Sequence, residues 1–149
     1  MSYWDTACLV KLYIEEPDSA VFEEFAVGAD QGATTGDFAR LEFITTARRK
    51  EAQGEIAAGW AEQHISLFDE AIQVGSCRLI PVDDSVRVEF ENVVKRCFSQ
   101  TPPIFIRTFD ALHIAAAMVS GEKEIVATDR RLRDAATLLG FQLFPTSNL

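Results

Sequence analysis

Residues 124–144, EIVATDRRLRDAATLLGFQLF, read as a short apolar strand at 125–128, an aspartate, a helix at 130–139, a glycine and a second short strand at 142–144. Short apolar strands that alternate with longer helical patterns imply a parallel sheet covered on both faces. The same alternation holds along the rest of the chain. Further strands are expected at 2–5, 33–36 and 78–82, and further helices at 6–14, 19–26, 37–50, 55–74, 84–98 and 108–120. Asp37 and Thr108 are placed to cap their helices, and Gly121 and Gly140 stand as residues just past a helix end. The fold class expected is α/β, a three-layer α/β/α sandwich around a mainly parallel sheet.

The chain has 149 residues, 48% hydrophobic and 25% charged, which suits one domain over 1–149 with a real core. It holds no apolar run of about 18 residues that would span a membrane, and its first residues lack the pattern of an export signal. Cys8, Cys77 and Cys97 are odd in number and widely spaced, as expected of reduced core thiols in a cytoplasmic protein. The net charge of −9 argues against general, backbone-driven binding of nucleic acid. It leaves room for a nucleic-acid substrate if the negative charge is gathered where metal ions bind. Two basic clusters, Arg48-Arg49-Lys50 and Arg130-Arg131-Arg133, are either solvated helix surface or contacts to a polyanion.

Four carboxylates stand out. In an open parallel sheet, ligands gather at the carboxyl ends of the strands. Asp5 ends the first expected strand and Asp129 the fourth. Each is a natural N-cap, yet together they put two acids on one sheet edge. Asp110 lies in the first turn of RTFDALHIAAAMVSG, a helix apolar around nearly its whole circumference and therefore expected to lie deep. Glu42, in GDFARLEFITTARRK, falls about 40° round the helix from Phe38, at the margin of an expected buried arc of Phe38, Leu41 and Ile44. A surface glutamate is the plain alternative there. Carboxylates held together repel unless a cation compensates, and hard divalent ions such as Mg²⁺ or Mn²⁺ take oxygen ligands and can assist attack at phosphorus. His113 shares a helical face with Asp110, so it is either a hydrogen-bonding or packing residue or, less simply, a general base. On the helix at 55–74, Ala57, Trp60, Ala61, Ile65, Phe68 and Ile72 form one apolar stripe, to be buried in the protein's own core or against a partner.

The stretches YWDTACLVKLYIEE, ARLEFITTARRKEAQGEI, RTFDALHIAAAM and IVATDRRLRDAATLLGF, in that order over essentially the whole chain, resemble PIN-domain nucleases, in particular VapC-type toxins of prokaryotic toxin–antitoxin pairs. FDALHIAAA followed by TDRRL is the specific part; DT alone is common. The resemblance implies a three-layer PIN-like fold and metal-dependent cleavage of RNA, with Mg²⁺ or Mn²⁺ held by Asp5, Glu42, Asp110 and Asp129. Thr6, His113 and Thr128 are expected to support those acids, and Arg48, Arg49 and Arg130 to offer contacts to RNA. An antitoxin protein and a second copy of the chain are the expected partners. Two positions depart from the family pattern. Ala7 stands where a second hydroxyl residue often follows the first acid, and Ala127 stands where a threonine often precedes the last, with Thr128 adjacent. A non-catalytic PIN-like binding module and an aspartyl-phosphate-forming phosphatase are the competing functions. The phosphatase is weakened because Ala7 occupies the place of its second acid.

Overall fold

A computed structural model describes residues 1–29 and 32–147. Its five strands, β1 (Ser2–Trp4), β2 (Ala33–Gly36), β3 (Cys77–Ile80), β4 (Glu124–Val126) and β5 (Gln142–Phe144), form one sheet in the order β3-β2-β1-β4-β5. Every pairing is parallel, with Tyr3 opposite Thr34 on one side and opposite Ile125 on the other. The described helices are α1 (Thr6–Val10), α2 (Ser19–Ala29), α3 (Ala39–Ala52), α4 (Trp60–Gln73), α5 (Asp84–Phe98), α6 (Thr108–Ser120) and α7 (Arg130–Leu138).

Successive strand side chains point to opposite faces, and β1 shows how this divides the molecule. Tyr3 joins a core built with α5, α6 and α7, whereas Trp4 joins one built with α1 to α4. Ile125 and Val126 of β4 split in the same way. The result is the three-layer α/β/α architecture expected from the alternation, with a wholly parallel sheet. Chain order runs outward from β1 in both directions, so the strand order reverses between β1 and β4. That is the topological switch point where open α/β sheets hold their ligands. Cys8, Cys77 and Cys97 are buried and free. Among the described residues no helix is long and apolar enough to cross a membrane.

Several local expectations change. Regular helix after Asp5 ends at Val10, and single turns carry the chain on to the buried Ile14. Asp37 does not cap α3. Its amide donates to Ile80 O at 2.9 Å and its carboxylate accepts from the Val82 amide at 3.4 Å, so it ties the ends of β2 and β3 together. Helix α3 therefore starts later, after Phe38, with no side-chain cap. Its buried arc becomes Ala39, Phe43 and Ala47, and Leu41 is 65% exposed. Thr108 is the first helical residue of α6 and not its cap, a position held by extended Arg107 without a side-chain capping bond. Gly121 and Gly140 do close their helices, with left-handed φ of 80° and 85°; Gly121 is itself the cap residue and Gly140 follows one.

The apolar stripe also contracts. Helix α4 begins at Trp60, which leaves Ala57 outside it and Trp60 itself 50% exposed. Ala61, Ile65 and Phe68 turn inward onto Phe43 and Ala47 of α3. Phe68 stacks on Phe43 with ring centroids 4.7 Å apart, and Tyr13 meets both rings edge-on. The stripe thus completes the protein's own core. Phe68→Ala is expected to cost about 3–5 kcal/mol of folding free energy through the cavity left between these rings, read as a lowered midpoint in urea unfolding.

Candidate active site

Because β1 and β4 are hydrogen-bonded neighbours, their carboxyl ends bring Asp5 and Asp129 to the same crevice. The Asp5 amide donates to Val126 O at 3.1 Å, fixing the first acid beside the end of β4. Both aspartates do cap helices, as their positions allowed. Asp5 Oδ1 accepts from the Cys8 amide at 2.7 Å. Asp129 Oδ1 accepts from the amides of Arg131 and Leu132 at 3.0 and 3.1 Å. In each case the capping bonds fall on one carboxylate oxygen.

Asp110 is buried on the first turn of α6, a helix whose Ala111, Ile114, Ala115, Ala116 and Ala117 are wholly enclosed. Small side chains let this helix lie close to α5 and to β2. One turn further along, His113 is also buried and joins α6 to the other half of the site. Its Nε2 lies 3.0 Å from Glu42 Oε1 and 3.2 Å from Thr6 Oγ1, and its Nδ1 lies 2.9 Å from the Tyr3 hydroxyl. An ionised carboxylate only accepts, so Nε2–H donates to Glu42 and, in the neutral ring, Nδ1 accepts from Tyr3. The Thr6 hydroxyl donates to the same Glu42 oxygen at 2.6 Å. Glu42 is thus half-buried and held from two sides.

These partners set the charges. Burial pushes the Asp5 carboxyl above the ordinary aspartate value, against the opposing pull of His113 and the Cys8 amide, and neighbouring Glu42 pushes it further. Burial alone would raise Glu42 as well, but the bonds from His113 and Thr6 outweigh it and hold that carboxyl below the ordinary range. The two acids on the other side share a cation. Arg107 donates from Nε to Asp110 Oδ2 at 3.0 Å and from a terminal nitrogen to Asp129 Oδ2 at 3.1 Å.

The four acids singled out in the sequence therefore line one connected edge, running from Asp129 through Arg107 to Asp110, one turn of α6 to His113, then to Glu42, Thr6 and Asp5. Thr6 and His113 contact that chain directly. Thr128 is exposed, and the Cys8 thiol approaches its hydroxyl at 3.9 Å. The basic residues behave unequally. Arg48 pairs with Glu62 and, at 3.8 Å, with Glu51, while Lys50 pairs with Glu16 and Glu55. Arg133 is no solvated residue: it is buried and donates to the carbonyls of Ala127 and Pro145. Arg130, beside Asp129, is almost fully exposed. Arg49 lines a shallow groove with Leu41, Glu42, Thr45, Thr46 and Phe109. Sequence reasoning missed Arg107 and Tyr3. The local signal for Arg107 was its place three residues before Asp110, at the start of the same helix, which keeps the two side chains within reach.

The donor set suits a hard divalent ion: four carboxylates and no thiolate. Asp5 is buried, and among the described residues no cationic side chain lies within ion-pair distance of it. A buried carboxylate without a counterion gains from a bound cation. As arranged, no three of the described acid, histidine or cysteine side chains are close enough together to cage an ion, and Arg107 occupies one oxygen each of Asp110 and Asp129. The residues fit the group by the chemistry of their donors, and holding it requires the carboxylates to close together and Arg107 to give way.

Comparison with known proteins gives the family and the fold. The family model described as "PIN domain" matches residues 2–138, and the chain belongs to that family, whose members are in general nucleases. Among solved structures it is similar to FitAcB from Neisseria gonorrhoeae, with a TM-score of 0.60 and 15% identity over 100% of each chain, a likeness of fold. A search of curated proteins gave no match.

Asparagine keeps the capping bond of Asp5 and removes its charge. With the folded pKa of Asp5 above the unfolded one, the folded state holds its proton more tightly. Asp5 therefore adds no penalty below the unfolded pKa, and destabilises the metal-free protein as pH rises through the folded pKa. Asp5→Asn is expected to raise the metal-free melting temperature at pH 7 and to flatten its fall between acid and neutral pH. A melting temperature lowered equally at both pH values would mean that the capping bond outweighs the charge.

Proposed function

We propose that this PIN-domain chain, over residues 1–149, is a divalent-metal-dependent endoribonuclease of the prokaryotic cytoplasm and the toxin of a toxin–antitoxin pair. The observation that carries the reading is the alignment of Asp5, Glu42, Asp110 and Asp129 along one hydrogen-bonded chain of residues beside the point where the strand order reverses.

Asp5, Asp110 and Asp129 would hold Mg²⁺ or Mn²⁺. When bound, the ion supplies positive charge against that developing at phosphorus and lowers the pKa of an attacking water. Glu42 either joins them as a ligand or takes the proton from that water. Thr6 and His113 orient it for either task, each donating to the same oxygen, Oε1. The placement of His113 argues against a histidine base. It is 3% exposed and both ring nitrogens are engaged, so no lone pair is directed at a ribose 2′-hydroxyl. Water attack in line with the departing 3′-oxygen then gives a 5′-phosphate and a free 3′-hydroxyl. Thr128, at the exposed end of the β4 segment, stands where it can support Asp129. Arg49 and Arg130 are the exposed arginines flanking the acids and would meet RNA phosphates, whereas Arg48 must first leave Glu62.

Partners follow from the surface the core leaves open. Leu41 and Phe109 are 65% and 53% exposed on either side of the groove that reaches Glu42. An antitoxin segment with apolar side chains for that groove and a basic one for the acids would silence the site. A homodimer would bury further apolar surface such as Trp60 and Leu67.

Purified protein is expected to cleave RNA with Mg²⁺ or Mn²⁺ and to stop in excess chelator. Asp110→Asn should lose on the order of 10²–10³-fold in rate, and His113→Ala about 10- to 100-fold, as for a residue that orients a ligand. Cyclic-phosphate product ends, or a folded His113→Ala protein as inactive as Asp110→Asn, would refute this mechanism.

A further inference from the structure

Arg107 is the residue whose contacts the sequence did not announce. It lies in extended backbone just before α6, and its guanidinium spans two acids from separate elements, Asp110 on α6 and Asp129 between β4 and α7. Among the described residues it is the cation paired with either of them. Its side chain is 60% exposed, so solvent reaches the guanidinium that makes these contacts.

From this bridge we infer that Arg107 is an exchangeable counterion: it neutralises Asp110 and Asp129 in the metal-free protein, yields them to the divalent ion, and then turns its freed guanidinium to a phosphate of the substrate. The inference rests on the nuclease reading above. A planar guanidinium fork matches two carboxylate oxygens and matches phosphate equally well, so the same group can serve both states. Two properties make the exchange feasible. The Arg107 guanidinium is reached by water and salt, which screen its pairs, that with half-exposed Asp129 more than that with buried Asp110. Because the Arg107 carbonyl accepts from the Ala111 amide at 2.9 Å, the exchange needs only the side chain to turn. The arrangement also meets a need. Without a cation two like charges would stand within reach of one guanidinium and repel each other. With a permanent clamp they would be lost to metal.

Exchange means competition, and competition can be measured without turnover. Calorimetric titration with Mn²⁺ is the test, on the wild type, Arg107→Met, Arg130→Met and Asp110→Asn, with metal-free melting temperatures as a check on folding. Arg130→Met removes an equal charge from a side chain that is 91% exposed beside the same acids, and so reports the general field. Arg107→Met is expected to bind Mn²⁺ about three- to tenfold more tightly than wild type, the range of two weak pairs reached from solvent by one guanidinium, and clearly more tightly than Arg130→Met. Its metal-free melting temperature should fall and its rise on adding Mn²⁺ should exceed that of wild type. In cleavage assays at saturating Mn²⁺ its KM for RNA should increase. An unchanged or weaker Mn²⁺ affinity in Arg107→Met, an equal gain in Arg130→Met, or an unaltered KM overturns the role given to Arg107 while Asp110→Asn, by abolishing Mn²⁺ binding, upholds the metal site. Wild-type protein that binds no Mn²⁺ overturns the nuclease reading and this inference with it.

Discussion

Asp5, Glu42, Asp110 and Asp129 stand along one edge of one sheet, and each carboxylate added there raises the free energy of its neighbours' ionised forms. The chain compensates them in three ways. Backbone amides at helix starts hold one oxygen of Asp5 and one of Asp129. Thr6 and His113 hold Glu42. Arg107 holds Asp110 together with the second oxygen of Asp129. These partners differ in how readily they are given up. Amides at a helix start are fixed by the helix, and His113 is fixed by Tyr3 and by burial, whereas the Arg107 side chain reaches its acids from solvent. The most readily released partner is therefore the cation.

Capping and metal binding, which looked like rival explanations of Asp5 and Asp129, are compatible for a geometric reason. A carboxylate has two oxygens, and the cap engages Oδ1 in both residues. The cap then orients the group through one oxygen, and in Asp129 the second is held by Arg107. Tyr3 and His113 stand in a similar relation to Glu42. Neither touches the crevice acids Asp110 or Asp129 through a hydrogen bond, yet the pair determines which way the glutamate faces.

The strands and the parallel sheet were legible because they rest on alternation, although the order of the strands in the sheet was not read. The four acids drew notice because most stand at element junctions, where a charge beside an apolar run is conspicuous. Helix starts were less so. Asp37 has the composition of a cap but is drawn into tying β2 to β3, and that tertiary bond displaced the start of α3 and turned Leu41 outward. Trp60 was counted into a stripe whose helix begins only with Trp60 itself. Arg133 read as one of three surface arginines, because nothing local reveals that the carbonyls of Ala127 and Pro145 are within its reach. Arg107 was hidden for the same reason: half of its role depends on Asp129, 22 residues further along the chain.

The two faces of β1 connect these local facts to the site. Because Tyr3 and Trp4 point oppositely, one residue step separates the core of α6 from that of α3. Tyr3 reaches through its side to His113, and His113, at the edge of that core, reaches Glu42 on α3, whose own packing belongs to the other. The bridge across the end of β1 therefore couples the two layers at the place where the acids gather. Aromatic packing reinforces it, since Phe38, which precedes α3, lies 4.6 Å from the His113 ring and 5.9 Å from Phe109. The closeness that this requires comes from α6 itself. Its run of Ala115, Ala116 and Ala117 presents no bulk to its neighbours, so the helix can approach the sheet with a buried aspartate at its start and a buried histidine one turn in. Larger side chains at those positions would push α6 away from the sheet and carry Asp110 and His113 off the crevice together, so the apolar middle of the helix is what places its polar end.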